Sequence, residues 1–310
     1  MEYLFGIDIG GTTVKIGLLD LSGNFIDKWE IPTDRAEKGR HILPDIAKSV
    51  LEYLRNNNIA YSAIDGIGFG VPGPVINSVV SQCANLGWEN VDVKQEFAKL
   101  IPFKTRIVAS NDANVAAYGE IMKGGSHVRN AVMFTLGTGV GGGIVIGGQL
   151  LDGTNGAAGE YGHMRADFKH NFICNCGLIG CLETVTSATG VVRLAKEFLR
   201  EDKNSVLSQM ESFTAKDVYE NAEKGDPLCV KVTNEVAYYL GYAASIMAAT
   251  VDPERFIIGG GMSRSGDFLL KAVEEQYQKF AFRACKKTPF YLAKLGNDAG
   301  MVGAALLAKD

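Results

Sequence analysis

Two glycine-rich turns, each lying between two predicted strands, constrain the fold of this 310-residue chain more than any other feature. The turns are Gly10-Gly11-Thr12 and Gly137-Thr138-Gly139. Alternating apolar and β-branched residues on either side predict strands at 3–9, 14–20, 131–136 and 142–146. A dinucleotide-binding or Walker loop would instead lead from a strand into a helix. The repeated unit therefore predicts two similar α/β halves that face a cleft.

The rest of the chain is predicted to alternate strands and helices. Further strands are predicted at 25–31, 64–71, 106–109, 255–258 and 290–293. Helices are predicted near 42–54, 97–101, 112–122, 191–200, 216–223, 227–250, 267–280 and 299–309. No flexible linker separates the halves, so we expect the domain join near residues 112–120.

The composition bounds the class of protein. The chain is 46% hydrophobic with a formal net charge of −4, so it can bury a substantial core, and its length fits two domains. No basic run can neutralise a phosphate backbone, which argues against nucleic acid as a partner. No apolar stretch is long enough to cross a membrane, and the first residues lack a cationic signal-peptide region. We therefore expect a cytoplasmic protein without a membrane partner.

The first glycine turn has two interpretations. Glycines let turn amides approach phosphate oxygens, with the Thr12 hydroxyl beside them, and Asp8 would then hold Mg²⁺ through water. Lys15 would neutralise phosphate charge. The alternative is a plain hairpin with a capping Asp8 and a solvated Lys15. The second turn favours phosphate binding, because two unrelated hairpins rarely both need a surface of glycine and threonine alone.

A third glycine run, Gly259-Gly260-Gly261-Met262-Ser263, follows a predicted strand and precedes a predicted helix. An adenine ring could lie against this bare backbone. The alternative is an ordinary strand-to-helix loop, and this segment alone favours the loop.

A predicted strand leads through Ser110 and Asn111 into a helix that begins at Asp112. In one interpretation, the Asp112 carboxylate accepts a proton from an attacking hydroxyl and Asn111 orients the same substrate. In the other, Asp112 is only the helix N-cap, which is a common role. The neighbouring motifs alone favour the catalytic interpretation.

Three of the six cysteines, Cys174, Cys176 and Cys181, lie close together after His163. Four Cys and His ligands at short spacing are typical of structural zinc, so these residues predict a zinc site in preference to free thiols or disulfides. The scattered Cys83, Cys229 and Cys285 are expected to be small core residues.

Two carboxylates, Glu160 and Glu183, flank this cluster without being needed for the metal. Glu160 and His163 share a face if they lie on a helical turn. His163 can give one ring nitrogen to zinc and keep the other for a substrate hydroxyl. A carboxylate can accept hydrogen bonds from vicinal hydroxyls, so a polyol-binding loop is predicted. A zinc knuckle with no substrate role is the alternative.

Together these motifs resemble the ROK family (repressors, open reading frames, kinases) of sugar kinases in the actin-like ATPase superfamily. The resemblance covers nearly the whole chain, and the complete set of motifs in order is a specific signal. The matching segments are Asp8-Ile9-Gly10-Gly11-Thr12, Val71-Pro72-Gly73-Pro74, Asn111-Asp112-Ala113-Asn114, 137–143, 156–163 and 174–183.

The resemblance implies an α/β fold of two actin-like (ribonuclease H-like) ATPase lobes around a central cleft, with ATP and Mg²⁺ in the cleft and a hexose between the lobes. It implies a small lobe of residues 1–114, joined by the C-terminal helix 299–310, and a large lobe of residues 115–298 with a zinc-braced sugar loop. Asp112 is implied as the catalytic base. The implied hexose ligands are Asn111, Glu160, His163, Glu183, Asn85 and Gly73. The implied zinc ligands are His163, Cys174, Cys176 and Cys181.

The expected reaction is ATP-dependent phosphorylation of a hexose, with glucose as the expected substrate because the chain is most similar to glucokinases of the family. Kinases for N-acetylmannosamine, allose or fructose are alternatives, as are a sugar-sensing repressor and a non-catalytic binding protein. Repressors of the family carry a helix-turn-helix before the first phosphate strand, and Asp8 lies only seven residues from the start. Many members dimerise, so a homodimer or dimer of dimers is expected.

Overall fold

The computed structural model describes residues 2–124, 128–261 and 266–309. The chain divides into two compact units. The first comprises Met1–His127, Leu150–Ala158 and Leu295–Asp310, and the second comprises Val128–Gln149 and Gly159–Lys294. Each unit has a hydrophobic core of its own.

A five-stranded sheet forms the centre of the first unit. The strands are β1 (Tyr3–Ile9), β2 (Thr13–Asp20), β3 (Phe25–Pro32), β4 (Ile64–Val71) and β8 (Arg106–Asn111). They are neighbours in the order β3-β2-β1-β4-β8. β2 is antiparallel to β1 and β3, whereas β4 is parallel to β1 and β8. The central strands β1 and β4 are mostly buried, and the edge strand β3 is mostly exposed, as expected for a sheet covered by helices.

A small antiparallel sheet and five helices complete this unit. The small sheet contains β5 (Val75–Ile76), β6 (Val79–Cys83) and β7 (Trp88–Asp92). The helices are α1 (Ala36–Gly39), α2 (Ile42–Asn56), α3 (Val93–Ala98), α4 (Asp112–Lys123) and α10 (Ala299–Leu307). The helix predicted at 97–101 is misplaced, because the Asp92 side chain accepts a hydrogen bond from the Gln95 N–H (2.9 Å) and starts α3 earlier.

The last helix, α10, packs directly against backbone of the first sheet. At Gly6 of β1 and Gly68 of β4, an added Cβ would overlap the carbonyl groups of Met301 and Ala304. Only glycine permits so close an approach of a helix to a strand. This contact fixes the position of the C-terminal helix on the first unit.

The boundary of the first unit differs from the predicted join after residue 114. That join falls inside α4, all of which belongs to the first unit. α4 lies against α10 where Gly119 faces Gly303, and a Cβ at Gly119 would lie 2.8 Å from the Gly303 nitrogen. This packing of small residues keeps α4 with the unit that precedes it.

The second unit also has a five-stranded sheet. The strands are β9 (Ala131–Leu136), β10 (Val140–Ile146), β11 (Gln149–Leu150), β12 (Arg255–Gly259) and β13 (Phe290–Leu292). They are neighbours in the order β11-β10-β9-β12-β13. The helices are α5 (Glu183–Thr186), α6 (Ala188–Glu201), α7 (Ala215–Glu223), α8 (Pro227–Val251) and α9 (Gly266–Phe280). The long helix α8 begins where the Asp226 side chain accepts from the Cys229 N–H (3.0 Å) and Pro227 takes the first helical position.

Both sheets have the same topology: in each, the third, second, first, fourth and fifth strands are neighbours in that order. Each glycine turn joins the first two strands of its sheet, which pair antiparallel. The internal symmetry predicted from the two strand–turn–strand units is therefore confirmed. Within the part of the chain that the structure describes, no helix is both long and apolar enough to span a bilayer.

Replacement of Gly68 by alanine tests the contact with α10. Gly68→Ala should lower the free energy of unfolding by about 1–3 kcal/mol or more, because the added methyl must displace the Ala304 backbone. Urea unfolding followed by circular dichroism measures this. Gly11→Ala is the matched control, since a Cβ at Gly11 meets no atom within 4 Å. Equal stability of the two variants would contradict the close packing described here.

Candidate active site

Backbone and threonine hydrogen bonds hold the first glycine turn in place. The Gly10 N–H donates to the Thr13 carbonyl (3.0 Å), and the Thr33 N–H donates to the Thr12 carbonyl (3.0 Å). The Thr33 hydroxyl donates to the Gly10 carbonyl (2.8 Å). A Cβ at Gly11 would meet no atom within 4 Å. The turn is thus rigid but open at Gly11, and a strand follows it, as the sequence predicted.

Asp8 lies near the end of β1, opposite Lys15 on β2. Burial raises the pKa of Asp8 above its ordinary value, and the Lys15 cation offsets part of that rise. The carboxylate also faces the backbone of α10, because a Cβ at Gly300 would lie 3.0 Å from its Oδ2. A carboxylate whose negative charge is costly in the folded chain is suited to bind a cation.

The junction between β8 and α4 places Asn111 and Asp112 side by side. The Asn111 Oδ1 accepts from the N–H groups of Ala113 (2.9 Å) and Asn114 (3.2 Å), so Asn111 is the N-cap of α4. The Asn111 amide donates to the Gly73 carbonyl (3.0 Å). Asp112 is the first residue of the helix, and the interpretation of Asp112 as the N-cap is wrong. The positive end of the helix dipole favours the ionised carboxylate of Asp112.

Asn85 lies in the exposed turn between β6 and β7. The preceding strand ends at Cys83, whose Cβ is 3.7 Å from the position that a Cβ would take on Gly73. Burial raises the pKa of the Cys83 thiol, and the negative charge of Asp112 adds to the rise. The first unit thus groups Gly73, Asn111 and Asp112 with the strand that leads to Asn85.

The second glycine turn is attached to the N-terminus of α6. The Gly137 N–H donates to the Gly139 carbonyl (3.0 Å), and the Gly137 carbonyl accepts from the Ala188 N–H (2.8 Å). The Thr138 carbonyl accepts from the Thr189 hydroxyl (3.1 Å). The positive end of a fourteen-residue helix therefore lies beside this turn, which favours a bound anion.

Glu183 connects the second glycine turn to the cysteine cluster. Its Oε2 accepts from the Val140 N–H (2.9 Å), and its Oε1 lies 3.6 Å from the Cys174 sulfur. Its side chain is half-buried at the start of α5. This carboxylate, predicted from the sequence as a hexose ligand, thus also fixes the backbone that follows Gly139.

Four potential metal ligands converge in the second unit. The ligand atoms of this set all lie within 4.8 Å of one another: His163, Cys174, Cys176 and Cys181. The His163 Nδ1 is 3.6 Å from the Cys174 sulfur, and the Cys176 and Cys181 sulfurs are 3.7 Å apart. Sulfur ligands about 2.3 Å from a tetrahedral zinc ion lie about 3.7 Å from each other. Both the chemistry and the spacing of these donors therefore fit zinc.

The second ring nitrogen of His163 lies near Glu160, whereas the first lies near the Cys174 sulfur. Its Nε2 lies 3.9 Å from the Glu160 Oε2, as expected if the two residues share one turn.

Burial raises the pKa of Cys181 to about 12 and also raises that of Cys174, whereas the Leu178 N–H lowers the pKa of Cys176. A bound cation would counter the cost of ionising the two buried thiols.

A cavity of about 600 Å³ opens beside the second glycine turn. It is lined by Gly137, Thr138, Ala188, Thr214, Ala215, Lys216, Tyr219, Glu220, Glu223 and Gly261. The structure therefore brings Gly261 of the third glycine run to the second turn, and Gly260 has a left-handed φ of 86°. Met262 and Ser263 lie outside the described residues.

The sequence did not predict that α7 lines this cavity. The amphipathic pattern of Ala215–Glu223 indicates which face of the helix is buried. It does not indicate that the start of that helix lies next to a glycine turn about 75 residues earlier. Only the packing of α6 against α7 and the sheet puts them together.

Comparison with known proteins defines the class: the chain is an ATP-dependent sugar kinase with the actin-like ATPase fold. The ROK family model matches residues 4–310, and the chain belongs to this family. A glucokinase of Halalkalibacterium halodurans is 41% identical over 317 residues, which cover 100% of this chain and 96% of that protein.

Two solved structures are similar over nearly their whole length. A ROK family glucokinase from Streptomyces griseus, in complex with glucose and AMPPNP, is 30% identical with a TM-score of 0.73 and 99% coverage of both chains. A ROK hexokinase from Thermus thermophilus is 26% identical with a TM-score of 0.82, covering 99% of this chain and 97% of that one. These neighbours confirm the predicted fold class.

Two aspartates of the first sheet should respond to neutralisation with opposite signs. Asp8→Asn should raise the melting temperature at pH 7, because burial raises the pKa of Asp8 and its charge destabilises the folded chain. The gain should vanish toward about pH 4, where the acid becomes protonated even in the unfolded chain.

Asp20→Asn is the matched control. Hydrogen bonds from Asn24 lower the pKa of Asp20, so its ionised form stabilises the folded chain and its neutralisation should lower the melting temperature at pH 7. Thermal unfolding of both variants and the parent at pH 7 and pH 4 measures the difference. A fall in melting temperature for Asp8→Asn at pH 7 would contradict the burial argument.

Proposed function

We propose that this protein is a glucokinase that transfers the γ-phosphoryl group of ATP to the 6-hydroxyl of glucose. The observation that carries the proposal is the full-length similarity to glucokinases, 41% identical in one case and, in another, a structure solved with glucose and AMPPNP. Every chemical group that this reaction needs has a counterpart among the residues described above.

Asp112 acts as the general base. Its carboxylate lies in the first turn of α4, at the positive end of the helix dipole, and in its ionised form it accepts the hydroxyl proton. Asn111 is held between the helix N–H groups and the Gly73 carbonyl, and one amide hydrogen remains for a sugar hydroxyl. Gly73 and Asn85 contribute further contacts to the hexose.

The remaining hexose contacts come from Glu160, His163 and Glu183. Carboxylates and an imidazole nitrogen match the donor and acceptor pattern of vicinal hydroxyls. The set His163, Cys174, Cys176 and Cys181 would hold a structural zinc ion, which supplies rigidity to the loop and no reactive group. Because Glu183 contacts both Cys174 and the Val140 N–H, the same loop orients sugar and phosphate ligands.

The nucleotide is held by the glycine turns. The N–H groups of Gly11 and Thr12 in the first turn, and of Thr138 and Gly139 in the second, bind phosphate oxygens, with Lys15 near the first turn. Gly10 and Gly137 shape the turns, because each donates its N–H within its own turn. Asp8 would hold Mg²⁺, which spreads the phosphate charge when bound. The adenine lies in the cavity lined by Gly261 and α7, and the adjoining Gly259 and Gly260 leave the backbone there without side chains.

Most of the rate acceleration comes from positioning and charge stabilisation. Phosphoryl transfer passes through a loose transition state with little covalent work for the protein. The side chains therefore align the hydroxyl with the phosphorus and hold the phosphate charge, and Asp112 takes the proton late in the reaction.

We also propose that the protein acts in the cytoplasm as a homodimer or dimer of dimers.

A relative from Escherichia coli O157:H7, an N-acetylmannosamine kinase, is 29% identical over 98% of this chain. Phosphorylation rates for glucose, N-acetylmannosamine, allose and fructose distinguish the glucose proposal from these alternatives. A higher kcat/KM for a sugar other than glucose would replace glucose as the substrate.

Asp112→Asn should lower kcat for glucose phosphorylation by roughly 10²-fold or more, because the amide cannot accept the proton. The KM for glucose should change little. A coupled assay of glucose 6-phosphate formation measures both. Asp45→Asn is the control, since Asp45 is an exposed carboxylate in the first turn of α2. Parental turnover by Asp112→Asn would remove Asp112 from the role of base.

Cys176→Ser should reduce bound zinc from one equivalent per chain to a small fraction and raise the KM for glucose, because the metal stabilises the loop. Atomic absorption and steady-state kinetics are the measurements. Cys285→Ser removes a buried thiol that lies 3.6 Å from the Asp252 Oδ1, where a hydroxyl is tolerated. That control should keep zinc, and full zinc in Cys176→Ser would contradict the proposed ligand set.

A further inference from the structure

We infer that His170 is held as an imidazolium between Glu197 and Glu235, and that this contact positions the cysteine ribbon, residues 164–182. His170 is therefore a positioning residue and not a ligand. Its effect on sugar binding rests on the proposed function, whereas its charge state and its anchoring of the ribbon do not.

The geometry requires two donors on one ring. The His170 side chain is only 3% exposed; its Nδ1 lies 3.0 Å from the Glu197 Oε1 and its Nε2 lies 3.2 Å from the Glu235 Oε1. A neutral imidazole has one donor and one acceptor nitrogen, and an ionised carboxylate only accepts. Both contacts are therefore hydrogen bonds only when both ring nitrogens carry a proton.

Charged groups from three elements surround the ring. Glu197 of α6 and Glu235 of α8 contact its two nitrogens, and the Lys169 Nζ is 2.9 Å from the same Glu235 Oε1. The buried Asp167 carboxylate accepts from the His170 backbone N–H (2.8 Å). Arg193 lies over Phe172 and Lys231 over Phe198, and both aromatic rings lie near His170. The assignment of the imidazolium rests on the two carboxylates that contact the ring nitrogens.

The segment 167–172, which contains His170, forms one side of the cysteine ribbon. The Asp167 N–H donates to the Gly180 carbonyl (2.9 Å), and the Gly180 N–H donates to the Phe172 carbonyl (2.9 Å). Asp167 is fully buried and also accepts from the Tyr239 hydroxyl of α8 (3.2 Å). His170 thus ties the ribbon to α6 through Glu197 and to α8 through Glu235.

If His170 lost one proton, that ring nitrogen would become an acceptor. It would then face a carboxylate oxygen, which is also an acceptor, and no hydrogen bond would form between them. The contact with both carboxylates therefore requires the imidazolium. The ribbon carries zinc ligands and leads into His163 and Glu183 at its ends, so its loosening should weaken sugar binding. Asp112 is not part of the ribbon, and kcat should change less than KM.

Nitrogen-15 NMR of the histidine rings tests the charge state directly. The His170 signals are assigned by their absence in His170→Gln. Both ring nitrogens should be protonated at pH 7. A single neutral tautomer at pH 7 in the folded chain would overturn the inference, and this result does not depend on any kinase activity.

Kinetics across pH test the positioning role. In the parent, the KM for glucose should rise about tenfold over the interval in which NMR shows His170 losing its proton, as expected for loss of one charge-assisted hydrogen bond. Glu197→Gln should remove this rise, because the glutamine amide can donate to the acceptor nitrogen of a neutral ring. Glu201→Gln, an exposed position on the same helix, should follow the parent.

Two outcomes would contradict the role of His170 in sugar binding: an equal rise of KM in Glu197→Gln and the parent, or a parental KM in His170→Gln. Absence of glucose phosphorylation in the parent would instead remove the proposed function, and the NMR result would still decide the charge state.

Discussion

The hydrogen bond from the Val140 N–H to the Glu183 carboxylate is the contact on which the site of the second unit depends. One oxygen of this carboxylate fixes the backbone after the second glycine turn, and the other lies against Cys174 of the metal-ligand set. A single side chain therefore connects the second glycine turn to the cysteine cluster. The turn needs this external support because its glycines impose little conformational preference of their own.

The site of the first unit depends instead on close backbone packing. Gly6 and Gly68 let α10 lie directly on the sheet, and Gly300 lets the same helix approach the Asp8 carboxylate. The helix thereby buries Asp8 and raises its pKa, which makes the carboxylate costly without a cation. The ionised form of this carboxylate therefore lowers the stability of the folded chain.

Much of the fold was predictable, because it depends on local patterns. Apolar runs that end at turn residues marked β1 and β4 at their observed bounds, and the two hairpins around the glycine turns followed from the β-branched residues after each turn. The small sheet of β5, β6 and β7 was not predicted, since its strands have two to five residues and alternate weakly. Asn111 was expected to orient the substrate, and its role as the N-cap of α4 became visible only in the hydrogen bonds.

The sequence by itself determined the class of the protein: the order of the motifs, the type of the metal ligands and the repeated strand–turn–strand unit are all properties of local residue types. Tertiary structure alone decided which distant groups meet. It placed α7 beside the second glycine turn, set Glu183 between that turn and Cys174, and enclosed His170 between Glu197 and Glu235. The physical reason is that a hydrogen bond or a buried charge depends on separation in space, and residues far apart in the sequence carry no local signal of that separation.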